Sequence, residues 1–178
     1  MTLRPWREAE EERDREAIAG FVCTLPLPPP RRTWEKSVQR FFQKDVWHKL
    51  RQLEGTDPHL RVAEDEDGIA AAYTLNRWDS VFPQYSPAEG YGNRLIGYLA
   101  IAARHRRTRS GVADETLLDA LYTALDVEKE ADRGVLVWAK VHRRNEASKR
   151  LLTRHQFRYE TRVDDDAYLE HWVRSIAR

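Results

Sequence analysis

The chain has 178 residues, 41% hydrophobic and 33% charged, with eight glycines and eight prolines, a balance that fits one folded domain and excludes disorder as the main state. Thirty Lys and Arg against 29 Asp and Glu leave a formal charge of +1, which excludes a protein built mainly to neutralise phosphate backbones. A single cysteine, Cys23, excludes an intramolecular disulfide and a thiolate-rich zinc site, and no apolar run approaches the roughly 20 residues of a membrane-spanning helix.

Taken in chain order, Thr2 to Trp6 reads as a short opening strand and Glu8 to Cys23 as a helix whose apolar stripe is Ala17, Ile18, Phe21 and Val22. The proline-rich run from Leu25 to Pro30 breaks that helix and forms a stiff connector. A second helix is predicted from Thr33 to Leu53, because Trp34, Val38, Phe41, Phe42, Val46, Trp47 and Leu50 recur at helical spacing, with Thr33 as its cap. Leu60 to Ala63 and Ile69 to Leu75 are strand candidates, and Asp67-Gly68 between them is a hairpin signal. Asn76 to Asn93 mixes Trp78, Phe82 and Tyr85 with prolines and glycines, the composition of a long functional loop. Leu95 to Ala103 reads as a buried strand, Val112 to Leu125 as an amphipathic helix and Val135 to Val141 as another buried strand. Asn145 to His155 is a short helix, and Phe157 to Arg162 with Ala167 to Val173 a closing hairpin. No linker divides the chain, so a single α/β domain over residues 1–178 is expected. The charged stretch from Met1 to Glu12 lacks the apolar core of a secretion signal, which points to retention in the cytoplasm.

The segment with most chemical content runs from Leu99 to Ala113, a strand feeding a small-residue turn at the start of a helix. The first NH groups of a helix have no internal partner and carry partial positive charge, so such a turn seats a phosphate. Gly111 and Ala113 allow close approach, and Arg106, Arg107 and Arg109 add positive charge. Alone, this is equally a solvated basic turn with one conformational glycine.

A second segment, Val135 to Val141 followed by Asn145 to Phe157, changes the balance. The two segments together resemble the signature regions of the GNAT superfamily of acyl-CoA-dependent N-acetyltransferases. The family's phosphate turn falls on Thr108, Arg109, Ser110, Gly111, Val112 and Ala113, and its Asn-to-Phe helix on Asn145 to Phe157. The resemblance implies a mixed, mostly antiparallel sheet flanked by helices, with strands Leu95 to Ala103 and Val135 to Val141 parallel and splayed around coenzyme A. It implies that Leu99, Ile101 and Ala103 pair with the pantetheine arm, that Arg109 to Ala113 hold the pyrophosphate, and that Asn145 and Ser148 face the same cleft. Asn145 reads equally well as a helix N-cap.

The implied activity is transfer of an acetyl or other acyl group from acyl-CoA to a primary amine of a small molecule or protein. A catalytically weak or inactive acyl-CoA-binding module is the alternative. Three departures from the family pattern bear on this. Thr108 stands where an Arg or Gln opens the phosphate turn, Leu152 where many members place an acidic tyrosine, and Gly97 where others carry a carboxylate base. An alkylamine of pKa about 10 must lose its proton before attack, so the catalytic candidates become Glu89, Tyr98 and His142, with Asp79 beside them. Trp34, Phe42, Trp78, Phe82 and Tyr85 are candidates for the acceptor pocket, although the aromatic stripe of the second helix suits core packing at least as well. The six histidines show no ligand spacing, so no metal is expected. The expected partners are acyl-CoA and an amine. Nucleic acid is disfavoured because aromatic residues do not interleave the basic turns, and a homodimer is compatible with the sequence.

Overall fold

The computed structural model describes residues 3–25, 33–78, 91–106, 108, 110–129, 134–163 and 166–177. The elements are β1 (Arg7–Glu8), α1 (Glu11–Ala19), α2 (Thr33–Arg40), α3 (Val46–Gln52), β2 (His59–Asp65), β3 (Gly68–Arg77), β4 (Tyr91–Ile101), α4 (Val112–Val127), β5 (Gly134–His142), α5 (Glu146–Arg154), β6 (Arg158–Val163) and β7 (Asp166–Ile176). A π-helical segment, Phe41–Asp45, joins α2 to α3, and a 3-10 turn, Ala103–His105, follows β4. The seven strands form a sheet in the order β1-β2-β3-β4-β5-β7-β6. The β4–β5 pair is parallel, while β1–β2, β5–β7 and β6–β7 are antiparallel.

Contacts group the chain into two units, Met1–Thr74 with Tyr98–Asp119, and Leu75–Gly97 with Ala120–Arg178. In the first, β2 and β3 are adjacent and joined by only Glu66 and Asp67, a connection that antiparallel strands alone can make. Gly68 follows at φ +104, a conformation that favours glycine. The core here packs Ile18 of α1, Phe41, Phe42 and Val46 of the second helical run, Leu60 and Val62 of β2, and Ala100 and Ala102 at the end of β4. Asp14 is buried, and Arg7 grips it with two bonds of 2.7 and 2.8 Å while reaching Glu64 at 2.6 Å. Those guanidinium contacts hold the Asp14 carboxyl well below the usual carboxylate range despite the opposing effect of burial. Tyr73 donates to Asp119 at 2.6 Å, tying β3 to the first half of α4.

The second unit is built on β5. Its register with β4 runs from Tyr91–Gly134 to Ile96–Ala139, and with β7 from Val135–Ile176 to His142–Leu169. Val135, Val137, Trp138, Ala139 and Val141 of this strand are buried, as an apolar run in a central strand requires. Arg94 and Glu128 form a buried ion pair at 2.7 Å, and the Trp138 indole donates to the Asn93 side chain at 3.1 Å.

The predicted elements are recovered with shifted ends. The opening strand forms at Arg7–Glu8, beyond the predicted Thr2 to Trp6, because pairing with Arg61 and Val62 defines it. Helix α1 stops at Ala19, capped by Gly20. Asn76, Arg77 and Tyr91 to Asn93, predicted as loop, are strand. The connector prolines Pro26 and Pro28 to Pro30 lie outside the described residues, as does the Thr33 side chain.

Candidate coenzyme site

In the first unit β4 leads into the 3-10 turn and then α4. Ala100 and Ala102 are buried, whereas Leu99 and Ile101 are half-buried, so the alternation of the strand turns these two predicted backbone-pairing residues away from the core. Ala103 lies in the 3-10 turn, and its NH, expected to pair with the pantetheine arm, instead donates to the Val22 carbonyl at 2.8 Å. Gly111 precedes α4 at φ +76, and its carbonyl accepts the Glu115 NH at 3.0 Å, which opens the helix. A Cβ added at Gly111 would meet nothing closer than the Glu115 carboxylate at 3.9 Å. The glycine is therefore needed for its backbone conformation, not because space is short. Ser110 and Gly111 are exposed, Ala113 is half-buried, and Val112 anchors the helix in the core. The first NH groups of α4 lack intrahelical partners, which makes the turn a donor surface.

The turn is held from below. Thr108 donates its hydroxyl to the His105 carbonyl at 2.7 Å and lies 2.9 Å from the Ser110 hydroxyl. Arg106, expected to add free positive charge, instead binds Glu35 at 2.7 Å and the Cys23 carbonyl at 3.0 Å. Arg104 is likewise paired with Asp65 at 2.7 Å. Arg107 and Arg109 lie outside the described residues.

Tyr98 stacks on Phe41 with centroids 3.6 Å apart and planes 8° from parallel. Burial, and then the Asp45 carboxylate, raise its phenol above the ordinary tyrosine range, so it holds its proton at neutral pH. Phe42, expected in the acceptor pocket, is 1% exposed and lies edge-on to Phe21 and Phe41. It packs the core instead. Trp34 is half-buried on the same helical run.

In the second unit Asn145 caps α5, as its alternative reading expected: its Oδ1 accepts the Ser148 NH at 3.2 Å and its Nδ2 donates to the Ser148 hydroxyl at 2.8 Å. The structure thus brings Asn145 and Ser148 together. His142 is half-buried and its Nδ1 accepts the Arg144 NH at 3.2 Å, which leaves the neutral ring's proton on Nε2. Burial and the flanking Arg144 and Arg143 lower its pKa. Trp78 is edge-on to Trp138 at 5.3 Å, with the Lys140 ammonium 5.3 Å from its centroid. Leu152 is buried, so the position of the absent tyrosine is a core position. Asp79, Phe82, Tyr85 and Glu89 lie outside the described residues.

Sequence reasoning missed Asp65, which the structure sets under the turn through Arg104 and His105. Its only sequence signal, an acidic residue before Asp-Gly, is that of any hairpin. Among the described residues no group of three or more His, Cys, Asp or Glu could hold a metal ion, and no helix is long and apolar enough to cross a membrane.

No protein-family model and no curated protein sequence matches the chain. Solved structures do. The PaiA N-acetyltransferase of Thermoplasma acidophilum, in complex with coenzyme A, superposes with a TM-score of 0.61 at 13% identity, covering 98% of this chain and 99% of that one. An acetyltransferase of the GNAT family from Streptococcus pneumoniae gives 0.58 at 16% identity, covering 98% and 99%. A mutant of the toxin AtaT, bound to the C-terminus of the antitoxin AtaR and to acetyl-CoA, gives 0.62 at 14% identity, covering 96% and 92%. With its parallel β4–β5 pair and its turn before α4, the chain has the fold of the GNAT acetyltransferases.

Proposed function

We propose that the chain is a member of the GNAT superfamily that transfers an acetyl or other acyl group from acyl-CoA to a primary amine. One observation carries the reading: a strand whose Leu99 and Ile101 turn away from the core leads, through the 3-10 turn Ala103–His105, to an open, glycine-started helix N-terminus at Gly111. The residues suit coenzyme A. Beyond the β4–β5 register, which runs through Ile96 and Ala139, the backbone of Leu99 to Ile101 would pair with the pantetheine amides as an added strand does, and the Ile101 NH would polarise the thioester carbonyl. Ser110 to Ala113 would take the pyrophosphate on their NH groups, with Thr108 and Arg109 flanking. Asn145 and Ser148, already bonded to each other, would meet the pantetheine arm.

The amine must be deprotonated before its lone pair attacks the thioester carbon. Tyr98 suits a donor and not a base, because its phenol stays protonated, and His142 has one ring nitrogen engaged and the other protonated. A carboxylate such as that of Glu89 has the chemistry of the base, directly or through water. The departing thiolate is stable enough to leave without a strong acid, which accommodates Leu152. Trp34 in the first unit and Trp78 in the second, with Phe82 and Tyr85, would each be a candidate contact for a partly apolar amine. The second reading, an acyl-CoA-binding module without turnover, is favoured by the same burial of Leu152 and the engaged His142 ring.

The test is calorimetric titration with acetyl-CoA and CoA, followed by thiol-release assays over a panel of amines. Saturable one-to-one micromolar binding with amine-dependent release of CoA is expected. Binding without release would select the second reading, and no binding would refute both. Gly111→Glu should abolish binding while the protein stays folded, since any side chain at φ +76 costs only about 1–2 kcal/mol, and unchanged affinity would refute the pyrophosphate seat.

A further inference from the structure

The hairpin between β2 and β3 ends on a carboxylate that is spent inside the protein. Asp65 has a side chain 3% exposed, and both of its oxygens are engaged. Oδ1 accepts Arg104 Nη2 at 2.7 Å and the Asp67 NH at 2.9 Å, and Oδ2 accepts Arg104 Nε at 3.1 Å and His105 Nε2 at 2.6 Å. The same Arg104 Nη2 reaches the carbonyls of Gly68 and Ile69, each at 3.1 Å. A buried carboxylate that takes three donors from two residues of one turn, and a fourth from its own hairpin, fixes that turn in a single arrangement. The turn is the 3-10 segment at the end of β4, and His105 is its last residue. From its carbonyl the link continues outward to the Thr108 hydroxyl at 2.7 Å and from there to Ser110 at 2.9 Å, next to Gly111. The chain of bonds thus runs from the tip of a distant hairpin to the opening of α4.

We propose that Asp65 is a positioning residue for the anion-binding turn, acting through His105 and Thr108 to hold the NH groups of Ser110 to Ala113 in their receiving geometry. The inference rests on the coenzyme reading above for the identity of the anion. It also gives Thr108 a task of its own: where related turns open on a long polar side chain, this one opens on a short hydroxyl that braces the loop from inside. The donors to Asp65 hold its carboxyl well below the ordinary range, so the anchor is charged throughout the working pH span. A preorganised seat binds its anion without paying to order the loop, and a loosened one loses that part of the affinity.

The experiment compares wild type with Asp65→Asn, Thr108→Val and Thr108→Ser. Kd is measured for CoA and for acetyl-pantetheine, which lacks the phosphates, and amide exchange is followed at residues 108–113 in the absence of any ligand. Asp65→Asn should weaken CoA about tenfold or more, leave acetyl-pantetheine within about twofold, and accelerate exchange in the turn. Thr108→Val, at an exposed position, should move both readouts in the same direction by a smaller factor, and Thr108→Ser should restore them. Equal weakening of CoA and acetyl-pantetheine, or unchanged exchange in both Asp65→Asn and Thr108→Val, would overturn the proposal. Failure of wild type to bind CoA would refute the coenzyme reading separately, because the exchange measurement judges the anchor without it.

Discussion

Gly92 of β4 faces the buried carboxylate of Glu128, and replacing it with alanine turns that proximity into a stability measurement. A Cβ at position 92 would lie 2.2 Å from Glu128 Oε2 and 2.3 Å from its Cδ, far inside van der Waals contact, so the carboxylate must leave. It has little room to do so. Glu128 is 1% exposed and Arg94 is 4% exposed, and displacing the acid from its 2.7 Å bond leaves two buried charges poorly matched. Breaking such a pair costs about 3–5 kcal/mol, a large fraction of the roughly 5–15 kcal/mol that holds a domain together, and corresponds to a fall in Tm of about 6–20 °C. The assay is urea unfolding followed by tryptophan fluorescence and far-UV circular dichroism, comparing midpoints at constant m. Combining Gly92→Ala with Glu128→Asp, which retracts the carboxylate by about one bond of 1.5 Å, should recover part of the loss. A destabilisation below about 1 kcal/mol for Gly92→Ala alone would refute the reasoning, for it would mean that the acid swings aside freely.

Three further expectations rest on separate parts of the molecule. His59 lies 2.9 Å from Glu8 and 3.4 Å from Asp57, and the Glu8 carboxylate above all raises its pKa against the effect of burial. Its ion pairs therefore stabilise fully below the unfolded pKa of about 6.5 and fade as pH rises through the higher folded value. The stability gap between wild type and His59→Gln should shrink from pH 5 to pH 9, and a gap that widens would contradict the assignment. Leu152→Tyr puts a larger, hydroxylated side chain into the core and should cost about 1–3 kcal/mol in chemical denaturation. A stable variant would show that the helix has room there. Cys23 is buried and its thiol is pushed up to about 11, mainly by that burial, so a thiol reagent at pH 8 should label it only as fast as the protein opens. Prompt labelling of the native state would contradict its burial.

What the sequence disclosed was local. Asp67-Gly68 announced its hairpin through a turn that only such residues make cheaply, Asn145 announced its cap three residues before Ser148, and Gly111 announced the one left-handed position at the head of α4. The parallel β4–β5 pair came from the family resemblance, not from periodicity. What stayed hidden was long-range pairing. Arg106 looked like a free cation because Glu35, 71 positions away, leaves no mark beside it. Asp65 and His105 are 40 positions apart. Tyr98 read as a candidate for chemistry because nothing in its neighbourhood of sequence reveals that Phe41 covers its ring. Phe42 was ambiguous for the opposite reason, since a helical stripe shows which residues share a face and not whether that face meets core or ligand.

The π-helical segment has a bearing on phase. The Val46 NH bonds to the Phe41 carbonyl five residues back, so the turn between them holds one residue more than an α-helical turn and sets everything downstream back by about 100°. Counted along an uninterrupted α-helix, Val46 would drift about a third of a turn from Trp34 and Val38. With the wider turn it rejoins them and is fully buried, beside two consecutive phenylalanines that are buried as well. Removing one residue between Phe41 and Asp45 would restore the ordinary winding and leave α3 in its present phase, so Val46 should stay in the core, whereas ordinary winding with the residue retained would rotate α3 by about 100° and swing Val46 out. The wide turn is the hinge point at which two half-helices with different apolar phases are spliced into one continuous wall.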